Sequence, residues 1–198
     1  MDQNKLKKTK LAILISGRGS NMRSIINSCK EDNFPAEVNL VISNNPNAPG
    51  IKFAQDNNID IKVIDHNKYK DQPDSRKFFE EAIHNHIIKY DIDIICLAGF
   101  MRILSPFFIN KWKNKIINIH PSLLPDFKGA NAVREAFNAK AKEYGCTVHF
   151  VDQEVDNGKI IMQHKVEVNK DDDLESIKNK ILEKEHILYS KAIKLICN

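Results

Sequence analysis

Three polar side chains stand at places in this sequence where local structure alone does not call for them. Asn118 and His120 lie in INIHPSLLP, residues 117–125, and Asp156 lies in DQEVDNG, residues 152–158. Residues i and i+2 of a strand point to the same face, so the amide and the imidazole project together if the strand persists to residue 120. Pro121 and Pro125 then stop any helix from forming. An amide N–H and a ring N–H side by side can donate to an oxygen that gains negative charge, and removing one such donor typically costs about 10²–10³ in rate. A carboxylate beside the imidazole favours its cationic form and can carry protons. Asp156 is far from Asn118 along the chain, so its part in this set is an expectation about the fold. Ser122, inside HPSLLP, lacks the G-x-S-x-G context of a nucleophile and reads as a turn-capping hydroxyl. His84 and His86 are i and i+2 on a helical segment and diverge, a poor ligand pair; no metal is expected.

A second constellation is SGRGSN, residues 16–21. Glycines allow close backbone approach to an anion, and the helix that follows offers unpaired N–H groups. The G-x-G-x-x-G spacing of a dinucleotide site is absent. The next strand ends in Ser43, Asn44 and Asn45, with no carboxylate for a ribose. A single phosphate group is the expected occupant.

The elements that must position these residues follow from hydrophobic patterning. Short apolar runs at Leu11–Ile15, Val38–Ile42, Ile61–Ile64, Ile92–Ala98 and Lys115–Ile119 read as strands. Between them, Asn21–Lys30, Ile51–Asn57, Ser75–Tyr90 and Pro106–Trp112 read as helices. That alternation predicts a parallel sheet with right-handed crossovers, and Ile92–Ala98, the most apolar run, is its expected centre. Cys146–Val151 and Ile160–Val168 are separated by a loop too short for a crossover, so they should pair antiparallel. Asp171, Asp172 and Asp173 suit the N-terminus of a long helix reaching about Ile196. The fold class is thus α/β: an open, mostly parallel sheet, Rossmann-like in its first half, with a mixed or antiparallel second part. Both constellations fall at the carboxyl ends of parallel strands, where open α/β sheets bind ligands.

With 198 residues, 42% apolar and 28% charged, the chain fits one domain. Residues 1–10, rich in lysine, read as a flexible tail. About 11–112 forms the phosphate-binding half and about 113–198 the half carrying Asn118, His120 and Asp156. The formal charge of +4 is dispersed and forms no basic stripe with interleaved aromatics, which argues against nucleic acid. No apolar run reaches the roughly 18 residues of a membrane span, and LAILI is too short for a signal-peptide core. Four cysteines without a C-x-x-C pair read as reduced thiols. A cytoplasmic protein that binds no membrane is expected. The Gly-rich loop alone would also allow a non-catalytic nucleotide-binding module.

LISGRGSNM, VISN, DSR, LAGFMRILSP, NIHPSLLP, FKGANAVREAF, GCTVHFVDQEVDNGKIIMQ and LEKEHILY together resemble the folate-dependent formyltransferases over nearly the whole chain. The resemblance is strongest to members that act in purine biosynthesis. It implies the formyltransferase fold and transfer of a formyl group from 10-formyltetrahydrofolate to the amine of 5-phosphoribosylglycinamide, as a monomer or homodimer. In that reaction the amine itself attacks the formyl carbon, so no Ser or Cys nucleophile is needed. By position, the resemblance implies Asn118, His120 and Asp156 as the catalytic trio, with both Asn118 and His120 donating to the developing oxyanion. It implies Gly19, Ser20 and Asn21 for the substrate phosphate and Glu185 for the glycinamide portion. For folate it implies Arg76, Met101, Arg102, Ile103 and Leu104, and the loop Val151, Asp152, Gln153, Glu154 and Val155. His149 lies near the trio without an assigned role. Lys128 and Lys159 stand where proline is common in the family. Two relatives are less compatible. Methionyl-tRNA formyltransferases generally carry a further tRNA-binding domain. Formyltetrahydrofolate hydrolases usually have a regulatory domain and a second histidine where this chain has Pro121.

Overall fold

The computed structural model describes residues 7–198. Seven strands form one sheet: β1 (Thr9–Ile15), β2 (Ala36–Ser43), β3 (Asp60–Val63), β4 (Ile94–Leu97), β5 (Ile116–His120), β6 (Tyr144–Phe150) and β7 (Ile160–Val166). Their spatial order is β3-β2-β1-β4-β5-β6-β7, with β4 in the middle, as its apolar character predicts. Strands β1 to β5 are mutually parallel; β6 runs antiparallel to β5, and β7 antiparallel to β6. Among the described residues six α-helices cover the sheet: α1 (Ser20–Ser28), α2 (Gly50–Asp56), α3 (Ser75–Lys89), α4 (Pro106–Lys111), α5 (Ala132–Asn138) and α6 (Leu174–Cys197).

Strand alternation sorts the core into two layers. Leu11, Ile13 and Ile15 of β1, with Ile117 and Ile119 of β5, pack with residues of α1 and α6. Ala12 and Leu14 of β1, with Ile95, Leu97 and Ile116, pack against Phe79, Ile83 and Ile87 of α3. The buried Tyr189 of α6 shares its hydroxyl hydrogen between the carbonyls of Leu97 and Ile117, 3.0 Å from each, and so ties the helix to the carboxyl end of β4 and to β5 beside it. Asp173 caps α6 by accepting from the Ser176 N–H at 2.7 Å, in line with the acidic run preceding that helix.

Three expectations change. Two residues of the expected tail are structured: Thr9 and Lys10 belong to β1, where the Lys10 N–H donates to Asp93 at 2.9 Å, while residues 1–6 of the expected tail lie outside the described residues. Helix α5 and a 3₁₀ turn at His66–Tyr69 are additions to the expected elements. Strand β5 extends to His120, one residue past the expected end, because pairing with β6 holds it extended: His120 lies opposite Thr147.

Candidate active site

The carboxyl ends of β1, β4 and β5 meet at one edge. The Ser16 N–H donates to the Gly99 carbonyl at 3.1 Å, and the Met101 N–H donates to the Ser16 hydroxyl at 2.8 Å. The loop after β1 and the segment after β4 are therefore one connected rim. Gly19 caps α1 in a left-handed conformation, φ 68°, which favours glycine. Ser20 opens the helix.

Asn21 is placed differently from a simple phosphate ligand. Its side chain is buried and donates from Nδ2 to Glu185 Oε2 at 2.8 Å, joining α1 to α6 across 164 residues. Its Oδ1 is buried without a partner. Burial pushes the Glu185 carboxyl up to about 7, against the lowering effect of the Asn21 hydrogen bond. What Asn21 retains for a phosphate is its backbone N–H in the first turn of α1.

The expected trio converges. His120 Nδ1 lies 3.3 Å from Asp156 Oδ2, and both side chains are largely buried. His149 joins them: its Nε2 is 3.3 Å from Asn118 Nδ2 and 3.6 Å from Asp156 Oδ1. Asp156 sits in a left-handed turn, φ 51°, a conformation that Asp and Asn tolerate better than most residues. Two bonds tie its loop to the segment after β5. The Gly129 N–H donates to Asp156 Oδ2 at 2.8 Å, and Lys128 Nζ donates to Asn157 Oδ1 at 2.6 Å. Gly158 closes the loop where a Cβ would stand 1.8 Å from the Phe150 carbonyl oxygen, so only glycine fits there.

His120 departs from the expected role in one respect. Its Nε2 donates to the Phe127 carbonyl at 2.8 Å, and its Nδ1 faces Asp156, so both ring nitrogens are engaged by protein. Phe127 itself has φ 52°, which folds its carbonyl back over the histidine in a way the sequence does not announce. In this arrangement the amide of Asn118 is the available donor for an oxyanion. His120 donates to one only by exchanging a present partner.

Burial is the largest influence on His120 and holds its pKa below the ordinary value; the Phe127 carbonyl and Asp156 act against burial, and His149 acts with it. For Asp156, burial acts upward. The nearby His149 ring, the hydrogen bond from the Gly129 N–H and the His120 ring together outweigh it and hold the carboxyl below its usual range. Asp156 is thus the ionised member of the pair.

The expected folate residues lie on the segment after β4, on the loop after β6 and at the start of α3. Met101 and Ile103 are 73% and 62% exposed and Val155 is 47% exposed, large apolar side chains left open on the first two of these. Leu104 is buried, and the Arg102 guanidinium lies 5.4 Å over the Phe79 ring. Val151 donates its N–H to the Ile116 carbonyl at 2.9 Å; Asp152 accepts from the Glu154 N–H at 3.0 Å; Gln153 donates to Asn110 at 3.1 Å. Arg76 is exposed at the start of α3 and is not among the described contacts of the trio. Its charge and that of Arg102 reach the buried Glu80, whose carboxylate accepts from the Ser105 N–H at 2.7 Å and from the Ser105 hydroxyl. Ser122 donates to the Asp126 carbonyl at 2.6 Å, the capping role expected of it. Among the described residues no group of three or more His, Cys, Asp or Glu is placed to hold a metal ion.

His149 and Glu80 carry weight that patterning did not assign. A signal for His149 exists: in Cys146–Phe150, polar Thr147 and His149 alternate with apolar neighbours on a strand with no solvent-facing side, since every one of Tyr144–His149 is buried.

A family model described as formyl transferase matches residues 9–193. The trifunctional purine biosynthetic protein adenosine-3 of Chironomus tentans is 44% identical over 96% of this chain, which spans 14% of that protein. Phosphoribosylglycinamide formyltransferase of Bacillus subtilis is 38% identical, with 93% of each chain covered. The crystal structure of phosphoribosylglycinamide formyltransferase from Anaplasma phagocytophilum superposes with a TM-score of 0.88 at 42% identity, covering 96% of this chain and 87% of that one.

Proposed function

Because the chain belongs to the formyl transferase family, we propose that it is the enzyme transferring a formyl group from 10-formyltetrahydrofolate to the amine of 5-phosphoribosylglycinamide, in purine biosynthesis and in the cytoplasm. The observation that carries this reading is the convergence of Asn118, His120 and Asp156 in a protein whose same sheet edge carries a Gly-rich helix N-terminus. The relatives over 85–93% of whose length this chain extends bear that activity in their names.

The residues divide the work. The first turn of α1, with Gly19, Ser20 and the Asn21 N–H, holds the substrate phosphate. Asn21 Oδ1 and Glu185 form a buried polar pair short of donors, a setting that favours an amine- or amide-bearing ligand. The exposed apolar side chains Met101, Ile103 and Val155 suit a flat heteroaromatic ring system, with Arg76 and Arg102 near its carboxylate-bearing portion. Asn118 donates to the carbonyl oxygen as it gains charge. Asp156, held ionised, receives the proton lost by the attacking amine and passes it through water to the departing nitrogen, with His120 packed against its carboxylate.

The test is a formyl-transfer assay with purified protein and both small molecules, with and without the phosphorylated amine. Formylated product is expected only when both are present. Asp156→Asn keeps the left-handed turn and removes the charge, and is expected to lower kcat by about 10³-fold or more. Formate release without the amine would instead indicate a hydrolase, and substantial activity in Asp156→Asn would overturn the assigned role.

A further inference from the structure

We propose that His149 is a positioning residue that dictates which end of the Asn118 amide faces the reacting carbonyl, an inference that rests on the formyl-transfer reading. Asn118 and His149 are direct cross-strand partners in the antiparallel β5–β6 pair, so their side chains leave the same face of the sheet side by side. The register of β6 against β7 shifts between Val148 and His149, an irregularity of the kind that re-aims a side chain beside a site.

The tautomer follows from the neighbours. His149 is 2% exposed, and its Nδ1 lies 2.8 Å from the Phe150 carbonyl, an acceptor only, so Nδ1 carries a hydrogen. In the neutral ring Nε2 is then an acceptor. Asn118 Nδ2 sits 3.3 Å from it and donates one of its two hydrogens there. The second hydrogen of the same nitrogen remains for an oxyanion. Were the amide turned over, Oδ1 would set its lone pairs against the lone pair of Nε2, and the site would present an acceptor where a donor is needed. An unrestrained asparagine samples both orientations; one that leans on a fixed acceptor does not. His149 also lies 3.6 Å from Asp156 Oδ1, a longer approach than that to Asn118, so the amide is assigned as the group through which it acts.

The experiment is a double-mutant cycle on kcat. His149→Phe removes the acceptor and is expected to lower kcat about 10²-fold, the scale of losing one oxyanion donor, while both KM values stay within about threefold. His149→Gln keeps an acceptor oxygen at the Nε2 position and is expected to recover to within about fivefold of the parent. In an Asn118→Ala background, His149→Phe is expected to add less than about threefold, since the group it positions is gone. His149→Met replaces His149→Phe in the cycle if the latter does not fold. Additive losses in the Asn118→Ala background would overturn the proposal. So would a His149→Gln as damaged as His149→Phe, or silence of His149→Phe only in an Asp156→Asn background. A parent enzyme with no formyl transfer at all would instead sink the functional reading, and the two failures are thereby distinguishable.

Discussion

Asn118 holds a donor in reserve and His120 does not, although both come from one five-residue strand. One Asn118 hydrogen goes to His149 and the other is free, whereas both His120 nitrogens already face protein. Asn118→Ala is therefore expected to lower kcat by about 10²–10³, with substrate KM values little changed and a urea midpoint close to that of the parent. A small loss in kcat would mean that His120 exchanges its Phe127 contact and supplies the oxyanion donor alone. Asp156 illustrates how a residue can serve geometry and charge at once: its left-handed backbone turns the loop, and its carboxylate receives the Gly129 N–H.

Between residue and molecule, the short helix α4 is held by a group from another element. Glu80 on α3 is 1% exposed and accepts from the Ser105 N–H, one of the orphan donors at the start of α4. Burial raises its pKa, and the two bonds from Ser105 and the charges of Arg76 and Arg102 oppose that rise. Glu80→Ala leaves a partly buried N–H unpaired at the end of the Met101–Leu104 segment. It is expected to cost about 1–3 kcal/mol in urea unfolding and to raise KM for the folate donor more than for the phosphorylated amine. Equal changes in both KM values would separate α4 from the proposed folate rim.

At the scale of the whole chain, the Asn21–Glu185 bond connects the first helix to the last. The Glu185 carboxyl stands at about 7 in the fold against 4.5 ordinarily. Between those values the folded state binds more protons than the unfolded one, so this group's contribution to stability declines as pH rises from 4.5 to about 7 and is level above. Glu185→Gln, which keeps an acceptor for Asn21, should therefore gain in stability over the parent as pH rises through that window, by up to about 3 kcal/mol at pH 8. Thermal unfolding from pH 4.5 to 8.5 measures the difference. A constant offset between the two proteins would contradict an uncharged-to-charged change at this position. The same variant is expected to bind the phosphorylated amine more weakly, which separates its stability effect from its functional one.

Local patterning carried the frame of this protein a long way. Five apolar runs interleaved with helices specify a parallel sheet because a buried strand must be apolar on both faces, and β4 declares its central place by that rule. SGRGSN and the prolines of INIHPSLLP mark the carboxyl edge because a Gly-rich turn and proline do not continue such strands. Only the tertiary structure brought Asp156 to His120, turned Asn21 inward onto Glu185, set His149 against Asn118 and folded the Phe127 carbonyl onto the imidazole. Those contacts join residues on different elements or depend on a left-handed backbone at Asp156 and Phe127. Neither a side-chain period nor a short-range propensity encodes where two loops from different strands will meet.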